Sequence, residues 1–225
     1  MLETRNPNWS EFQSEMPIRE RWAYFDHAAV SPLPRASTDA IANWARDATS
    51  NGDVSWPDWN TQVERTRAEA AAMLQTDPAN VALLRNTTHG INCVAEGFPW
   101  KRGDNVVILA DEFPTNQYPW LLLAARGVET RRVEVEGARV DLKRVAEACD
   151  SRTRIVSLSW VGFSNGWRID PGEVAELAHT QGALFHLDAI QALGVFPLDV
   201  RSCILIPYST IHGLDFAVDK LPEPI

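Results

Sequence analysis

A carboxylate follows an apolar run in the segment ALFHLDAIQALG, which spans residues 183–194. Asp188 stands where the apolar strand would end, and Gln191 comes shortly after it. A carboxylate in an apolar setting can hold a cationic nitrogen, such as that of a protonated pyridine ring, because little water competes for either charge. The same aspartate could instead cap a following helical turn. Both interpretations of Asp188 stay open at this point.

A second polar group lies between a short apolar run and a helical pattern. The sequence NTTHG at 86–90 follows the run VALL and includes Thr87 and Thr88. Hydroxyl groups and first-turn N–H groups at such a junction can form an anion site. The alternative is that a threonine serves only as the N-cap of the helix. No GxxxxGK motif is present, which argues against a Walker-type nucleotide loop.

Two further strand ends carry an aromatic ring and an amide. Phe113 follows the strand that ends at Ala110, and its ring could lie flat on a ligand or belong to the core. Asn165 follows the strand at 154–159, where it could approach a ligand or form an Asn-Gly turn. Each motif alone is weak evidence. Their recurrence at successive strand ends predicts that they face one crevice.

The elements that must position these residues alternate along the chain. The pattern predicts strands at 81–84, 106–110, 128–133, 154–159 and 183–187, and helices at 59–74, after Thr87, at 117–126, at 141–149 and from Pro171. Such alternation predicts an α/β fold, a three-layer sandwich with a mainly parallel sheet. Ligands of such sheets bind at the carboxyl ends of the strands. Residues 1–58 are expected to form an N-terminal arm of helix and loop.

Composition excludes several classes of protein. The chain has 225 residues and a net charge of -9, which argues against binding to nucleic acid, because phosphate backbones require a basic surface. No apolar run is long enough to span a membrane, and no export signal is evident, so we expect a cytoplasmic protein. The three cysteines show no CxxC spacing, and no metal site is predicted.

The order and spacing of these motifs resemble the class V aminotransferase family of pyridoxal-phosphate (PLP) enzymes. This family includes cysteine desulfurases, kynureninases and isopenicillin N epimerase-like proteins. The resemblance runs from about Tyr24 to Val200 and begins with the motif YFDHAA at 24–29. It implies the PLP-binding large domain of that fold at 59–202, an amino acid as the substrate of the intact protein, and a homodimer or other self-association.

The resemblance also implies roles for the residues at the strand ends. Asp188 would hold the ring nitrogen, which keeps the ring protonated and able to accept electrons. Phe113 would stack on the ring where desulfurases have a histidine, which favours the kynureninase and epimerase-like branch. The remaining contacts would be Thr87 and Thr88 to the phosphate, and Asn165 and Gln191 to the ring hydroxyl.

The lysine that forms the Schiff base in this family has no counterpart here. It would stand about 26 residues after the aspartate, where this chain has Leu214. The lysines of the sequence are Lys101 in a polar loop, Lys143 on a polar helix face and Lys220 near the end. We therefore do not expect PLP to be attached covalently, and we expect catalysis to be impaired. A catalytically silent binding or interaction domain that keeps the anion-binding crevice is the alternative.

The last part of the sequence departs from the family pattern. Residues 203–225 are expected to be a non-homologous tail from a frameshift or a cloning junction, with the C-terminal small domain missing. An unrelated hydrolase that uses His186 or His212 is the least favoured hypothesis, because no GxSxG motif supplies a nucleophile.

Overall fold

The computed structural model describes residues 8–137, 139–201, 205–211 and 214–218. Within these ranges the chain divides into two units, one up to Glu64 and one from Arg65 onward. The α-helices are α1 (Trp9–Ser14), α2 (Arg35–Asn51), α3 (Trp56–Leu74), α4 (Thr87–Gly97), α5 (Tyr118–Leu122), α6 (Leu142–Ala148) and α7 (Pro171–Thr180). Short 3-10 helices cover Pro17–Glu20, Gly52–Ser55, Pro78–Asn80, Pro114–Asn116 and Leu123–Arg126.

Asp47 ties together the helical part of the first unit. Its carboxylate accepts hydrogen bonds from the Ser55 hydroxyl at 3.0 Å and from the Trp59 indole N–H at 2.8 Å. Asn51 Nδ2 donates to the same group at 2.6 Å, and these hydrogen bonds, that from Asn51 first, lower the pKa of Asp47. The carboxylate thus joins the end of α2 to the start of α3.

The described strands form one seven-stranded sheet. They are β1 (Val81–Leu84), β2 (Asn105–Leu109), β3 (Glu129–Val133), β4 (Thr153–Ser159), β5 (Leu184–Asp188), β6 (Leu205–Ile211) and β7 (Leu214–Val218). Their order is β1-β7-β6-β5-β4-β2-β3, and β7 runs antiparallel to both of its neighbours. The pairs from β3 to β6 are parallel. Because β1 and β6 are both antiparallel to β7, β1 runs in the same direction as β2 to β6.

Alternate residues of the strands enter two separate cores. On one face Val107, Val156 and Phe185 pack with residues of α3, α6 and α7. On the other face Val106 and Ile155 pack with residues of α4 and α5. Each fully buried side chain of this size contributes about 1.5–3 kcal/mol relative to exposure. The helices therefore cover both faces, which confirms the predicted α/β sandwich with a mainly parallel sheet.

Part of the expected C-terminal tail lies in the sheet. Strand β6 pairs with β5 in parallel, and β7 closes an antiparallel pair with β6. Leu214, the position at which the resemblance would place the family's lysine, is the first residue of β7. The origin of residues 203–225 stays a prediction.

Candidate functional site

The carboxyl ends of β1, β2, β4 and β5 lie along one edge of the sheet, and each is followed by a polar or aromatic residue. This arrangement follows from their common direction. Parallel strands gather the residues that follow them at a single edge, where ligands of such folds bind. The predicted site residues are therefore expected at this edge.

Helix α4 begins next to this edge with two threonines in its first turn. The N-cap is Asn86, whose Oδ1 accepts the His89 N–H at 2.8 Å, so the alternative of a threonine cap is wrong. Thr87 is buried and Thr88 is exposed. The Thr88 hydroxyl lies 3.1 Å from that of Thr115. The first turn combines hydroxyl groups with the positive end of a helix, which favours an anion.

Phe113 follows β2 and keeps much of its surface in contact with solvent. It is 47% exposed, so the alternative of a core phenylalanine is wrong. It packs edge to face against Phe163, with ring centroids 5.1 Å apart and an interplanar angle of 77°. Edge contacts of this kind orient an aromatic ring and leave its face available.

Asn165 follows β4 in a tight turn. Its Oδ1 accepts the Trp167 N–H at 2.8 Å, and Gly166 has a φ of +68°, which a residue with a side chain rarely adopts. A Cβ at Gly162 would lie only 2.5 Å from the same oxygen. The turn interpretation is therefore confirmed, and a contact of Asn165 with a ligand stays a prediction.

Asp188 ends β5 with its carboxyl group buried. The side chain is 3% exposed, and Oδ1 accepts the Ile190 N–H at 3.2 Å. Burial raises the pKa of Asp188 to about 6, while the Ile190 hydrogen bond lowers it. In the turn that follows, the Ala189 carbonyl oxygen accepts the Leu193 N–H at 2.9 Å, so Asp188 also caps this turn, as the alternative interpretation predicted. Gln191, three residues on, is half-buried.

Sequence reasoning missed a second buried carboxyl group, Glu112. It is 5% exposed, and its two oxygens accept the Ser159 N–H at 2.8 Å and the Ser159 hydroxyl at 2.5 Å. Burial, with a smaller contribution from the charge of Asp188, raises the pKa of Glu112 to about 7. Its sequence signal was weaker than that of Asp188, because Glu112 stands three residues after the buried strand β2, whereas Asp188 ends β5.

The strand ends are linked to one another through backbone and side-chain contacts. Glu112 holds Ser159, and the next residue, Trp160, donates its N–H to the Asp188 carbonyl oxygen at 2.8 Å. Glu112, Ser159, Phe163 and Asn165 line one small pocket. The described structure therefore brings the ends of β2, β4 and β5 into contact.

His186 lies beneath this edge in a buried hydrogen-bond chain. The indole N–H of Trp120 can only donate, so the Asn116 atom 2.9 Å away is Oδ1, which also accepts the Ser157 hydroxyl at 2.7 Å. Ser157 has then used its hydrogen, and it accepts from Nδ1–H of His186 at 2.8 Å.

Burial keeps this histidine neutral. It lowers the pKa of His186 to about 3, and the side chain is fully buried. A substrate could not reach it as a general base, which weakens the hydrolase hypothesis. The other histidine of that hypothesis, His212, lies outside the described residues.

The lysines offer no candidate among the described residues at this edge. Lys101 is exposed in the loop before β2, and Lys143 is exposed in α6, where its Nζ lies 4.0 Å from Glu147 Oε1. Lys220 lies outside the described residues.

Comparison with known proteins identifies the family. The profile of the family Aminotransferase class-V matches residues 23–205. The chain belongs to the class-V aminotransferase family. A probable cysteine desulfurase of Methanothermobacter thermautotrophicus is 30% identical over 212 residues, which cover 92% of this chain and 51% of that protein. The chain spans about half the length of the curated relatives it matches.

Solved structures of the class-V fold superpose well on this chain. The cysteine desulfurase CsdA of Escherichia coli gives a TM-score of 0.82 at 23% identity and covers 95% of this chain and 58% of its own. A mutant of C-DES with glycine covalently linked to the PLP cofactor gives 0.84 at 20% identity, over 91% and 58%. At these identities the likeness establishes the fold. The cofactor that the family and its structural neighbours imply is PLP.

Two further observations concern the parts of the chain that the structure describes. No helix there has the length and apolarity needed to cross a membrane. No group of three or more histidine, cysteine, aspartate or glutamate side chains there could hold a metal ion.

Proposed function

We propose that the crevice at the carboxyl edge of the sheet binds PLP, and that the protein is a class-V aminotransferase-like enzyme whose intact form acts on an amino acid. The buried carboxyl group of Asp188 at the end of β5 carries this proposal. Burial of an ionised carboxylate is costly, and a cationic ring nitrogen would offset that cost.

The chemistry of the residues at the edge fits the groups of PLP. Thr87 and Thr88, in the first turn of α4, would bind the phosphate through hydroxyl and backbone N–H groups. The exposed ring of Phe113 would cover the pyridine ring. Asn165 and Gln191 would reach the ring hydroxyl. When bound, PLP supplies an electron sink for bond breaking at the α-carbon of an amino acid.

Asp188 would hold a proton on the ring nitrogen near neutral pH. Its pKa of about 6 without a ligand leaves most of the carboxyl ionised at pH 7. A cation beside it lowers that pKa further, because opposite charges favour the ionised form. The carboxylate would thus keep the nitrogen protonated.

We also infer that this chain holds PLP without a covalent bond in the crevice, and that its catalysis is impaired. Leu214 stands where the family has its lysine, and both described lysines are exposed on the surface. The same observation favours the alternative, a catalytically silent binding domain that retains the crevice.

Mixing the protein with PLP and reducing it with borohydride tests both parts. We expect PLP to bind reversibly, and mass analysis of the reduced protein to reveal no stoichiometric adduct on a single lysine. A stoichiometric adduct on one lysine would overturn the inferred impairment.

Asp188→Ala tests the carboxylate itself. We expect it to weaken PLP binding by about tenfold or more, since a charge-assisted hydrogen bond contributes ~1.5–3 kcal/mol. Glu134→Gln removes an exposed carboxylate just after β3 and serves as the matched control. Equal losses in both variants would show that general charge, and not the buried site, governs binding.

The reaction branch, the cellular compartment and the oligomeric state are part of the same proposal. Desulfurases are named among the relatives, whereas Phe113 favours the kynureninase and epimerase-like branch. We propose a cytoplasmic protein that self-associates as a homodimer. Sedimentation of the protein with and without PLP would test the oligomeric state.

A further inference from the structure

Glu112 forms a two-point contact that joins two strand ends. Its Oε1 accepts the Ser159 N–H at 2.8 Å, and its Oε2 accepts the Ser159 hydroxyl at 2.5 Å. Glu112 immediately precedes Phe113, and Ser159 is the last residue of β4. The contact therefore fixes the residue next to the exposed ring on the central part of the sheet.

The segment that carries the Phe113 ring is held by further hydrogen bonds. The Glu112 carbonyl oxygen accepts a hydrogen bond from the Gln117 side chain. Asn116 ends the short 3-10 helix that follows Phe113. It is fully buried, and its Oδ1 accepts hydrogen bonds from Trp120 and Ser157. Phe113 itself makes an edge contact with Phe163 and is otherwise largely open. Apart from the Phe163 contact, the position of this ring thus depends on the residues that flank it.

The same contact reaches Asp188 through one residue. Trp160 follows Ser159 and donates its N–H to the Asp188 carbonyl oxygen at 2.8 Å. A continuous path of covalent bonds and hydrogen bonds therefore runs from Phe113 through Glu112, Ser159 and Trp160 to Asp188. A ring held between Phe113 and Asp188 requires these two groups at a fixed separation, and misplacement by about 1 Å at such a site is costly.

We propose that Glu112 is a positioning residue of the crevice, which sets the ring of Phe113 relative to Asp188 by clamping the Phe113 segment to Ser159. This rests on the proposed function, because it assigns Phe113 and Asp188 to opposite parts of one PLP ring.

The clamp tolerates both protonation states of Glu112. Burial, with smaller contributions from Asp188 and Asp111, raises the pKa of this carboxyl to about 7. The Ser159 hydroxyl can donate to a carboxylate or accept from a carboxylic acid. Glu112→Gln should therefore preserve the clamp, since an amide accepts with its oxygen and donates with its nitrogen, whereas Glu112→Ala removes it.

Binding of pyridoxamine 5′-phosphate is the appropriate assay, because this probe has the ring and phosphate of PLP but needs no lysine. We expect Glu112→Ala to weaken binding about tenfold and Glu112→Gln to stay within about twofold of the unchanged protein. Ser159→Ala, which keeps the N–H contact, should give an intermediate loss. Glu134→Gln is the control for loss of a carboxylate at the same edge.

A double-mutant cycle separates positioning from general destabilisation. If Glu112 acts through Phe113, Glu112→Ala in a Phe113→Ala background should cost no more than about twofold further. Additive losses in affinity, or an unchanged affinity in Glu112→Ala, would overturn the proposal.

Hydrogen exchange of the ligand-free protein tests the clamp independently of the probe. Peptides covering residues 110–118 should exchange about tenfold faster in Glu112→Ala than in the unchanged protein, and Glu112→Gln should match the latter. If the unchanged protein binds no probe, the proposed function fails, and this exchange result alone decides whether the clamp exists. Unchanged exchange in Glu112→Ala would overturn it.

Discussion

Replacement of the buried histidine should change how the stability of the protein depends on pH. His186 is neutral and fully buried, and it donates through Nδ1–H to Ser157. His186→Asn removes the titrating group but keeps a donor near the Nδ1 position. The loss of the buried ring changes packing at every pH, so only the variation of the stability difference with pH reports on the titration of His186.

The direction in which stability changes with pH follows from the lowered pKa of His186. The pKa is about 3 in the folded protein, and that of an unfolded histidine is about 6.5. Between these values the unfolded chain binds more protons, so the folded state loses stability as the pH falls through 6.5 toward 3. Integration of this difference from about pH 7.5 to about pH 5 gives a loss of roughly 2 kcal/mol.

Other groups oppose this loss in the unchanged protein. The raised pKa values of Glu112 and Asp188 favour the folded state as the pH falls from about 7.5. Both groups remain in His186→Asn, so the comparison between the two proteins isolates the histidine. The variant should gain about 2 kcal/mol relative to the unchanged protein on going from about pH 7.5 to about pH 5.

Urea denaturation followed by circular dichroism at the two pH values measures this difference, provided that unfolding is reversible. Ser157→Ala is the matched control, because it removes a hydrogen bond of the same chain without removing a titrating group. It should destabilise the protein by a similar amount at both pH values, about 1–3 kcal/mol. A free-energy difference between His186→Asn and the unchanged protein that does not vary with pH would refute the reasoning.

Three smaller predictions concern the N-cap of α4, the turn at Asn165 and the carboxylate of Asp47. Asn86→Ala should lower the free energy of unfolding by about 1 kcal/mol, because it removes the N-cap of α4. Asn86→Asp should preserve the cap and the stability. Thermal unfolding of the two variants would show the difference. Gly162→Ala should displace Asn165 and lower the free energy of unfolding by about 1–3 kcal/mol, because the new Cβ would lie 2.5 Å from Asn165 Oδ1. Adding Asn165→Ala should restore that stability in the double variant. Trp59→Phe should raise the pKa of Asp47 toward its usual value, because the variant loses the indole N–H donor. An unchanged pKa in an NMR titration would contradict the role given to that carboxylate.

The alternation of elements was predictable because the strands are short apolar runs between helical patterns. The predicted strand at 183–187 is observed at Leu184–Asp188, and the predicted strand at 106–110 is observed at Asn105–Leu109. The predicted helix at 117–126 becomes α5 followed by a 3-10 turn. The two strands after residue 203 were not predicted, because their pairing with β5 and β1 depends on contacts distant in sequence.

The candidate site was predictable where one residue at a strand end has a distinctive type. Asp188 and Phe113 were singled out in this way. The structure places Asp188 at the end of β5 and Phe113 after β2, the two strands that flank β4. Glu112 was missed although it precedes Phe113, because its importance comes from burial and from Ser159, which is remote in sequence. A threonine was considered as the alternative N-cap, whereas the cap is Asn86, since both residue types cap helices and only the observed hydrogen bond distinguishes them.

The affinity of the protein for pyridoxamine 5′-phosphate, with and without the Asp188 charge, tests the central claim most directly. At about pH 7.5 we expect the unchanged protein to bind the probe and Asp188→Asn, which has nearly the same shape, to bind at least about tenfold more weakly. Thermal unfolding should show that Asp188→Asn remains folded, because it removes a buried charge and keeps an acceptor for the Ile190 N–H. Equal affinity in the two proteins, or no binding by the unchanged protein, would contradict the assignment of this crevice to PLP.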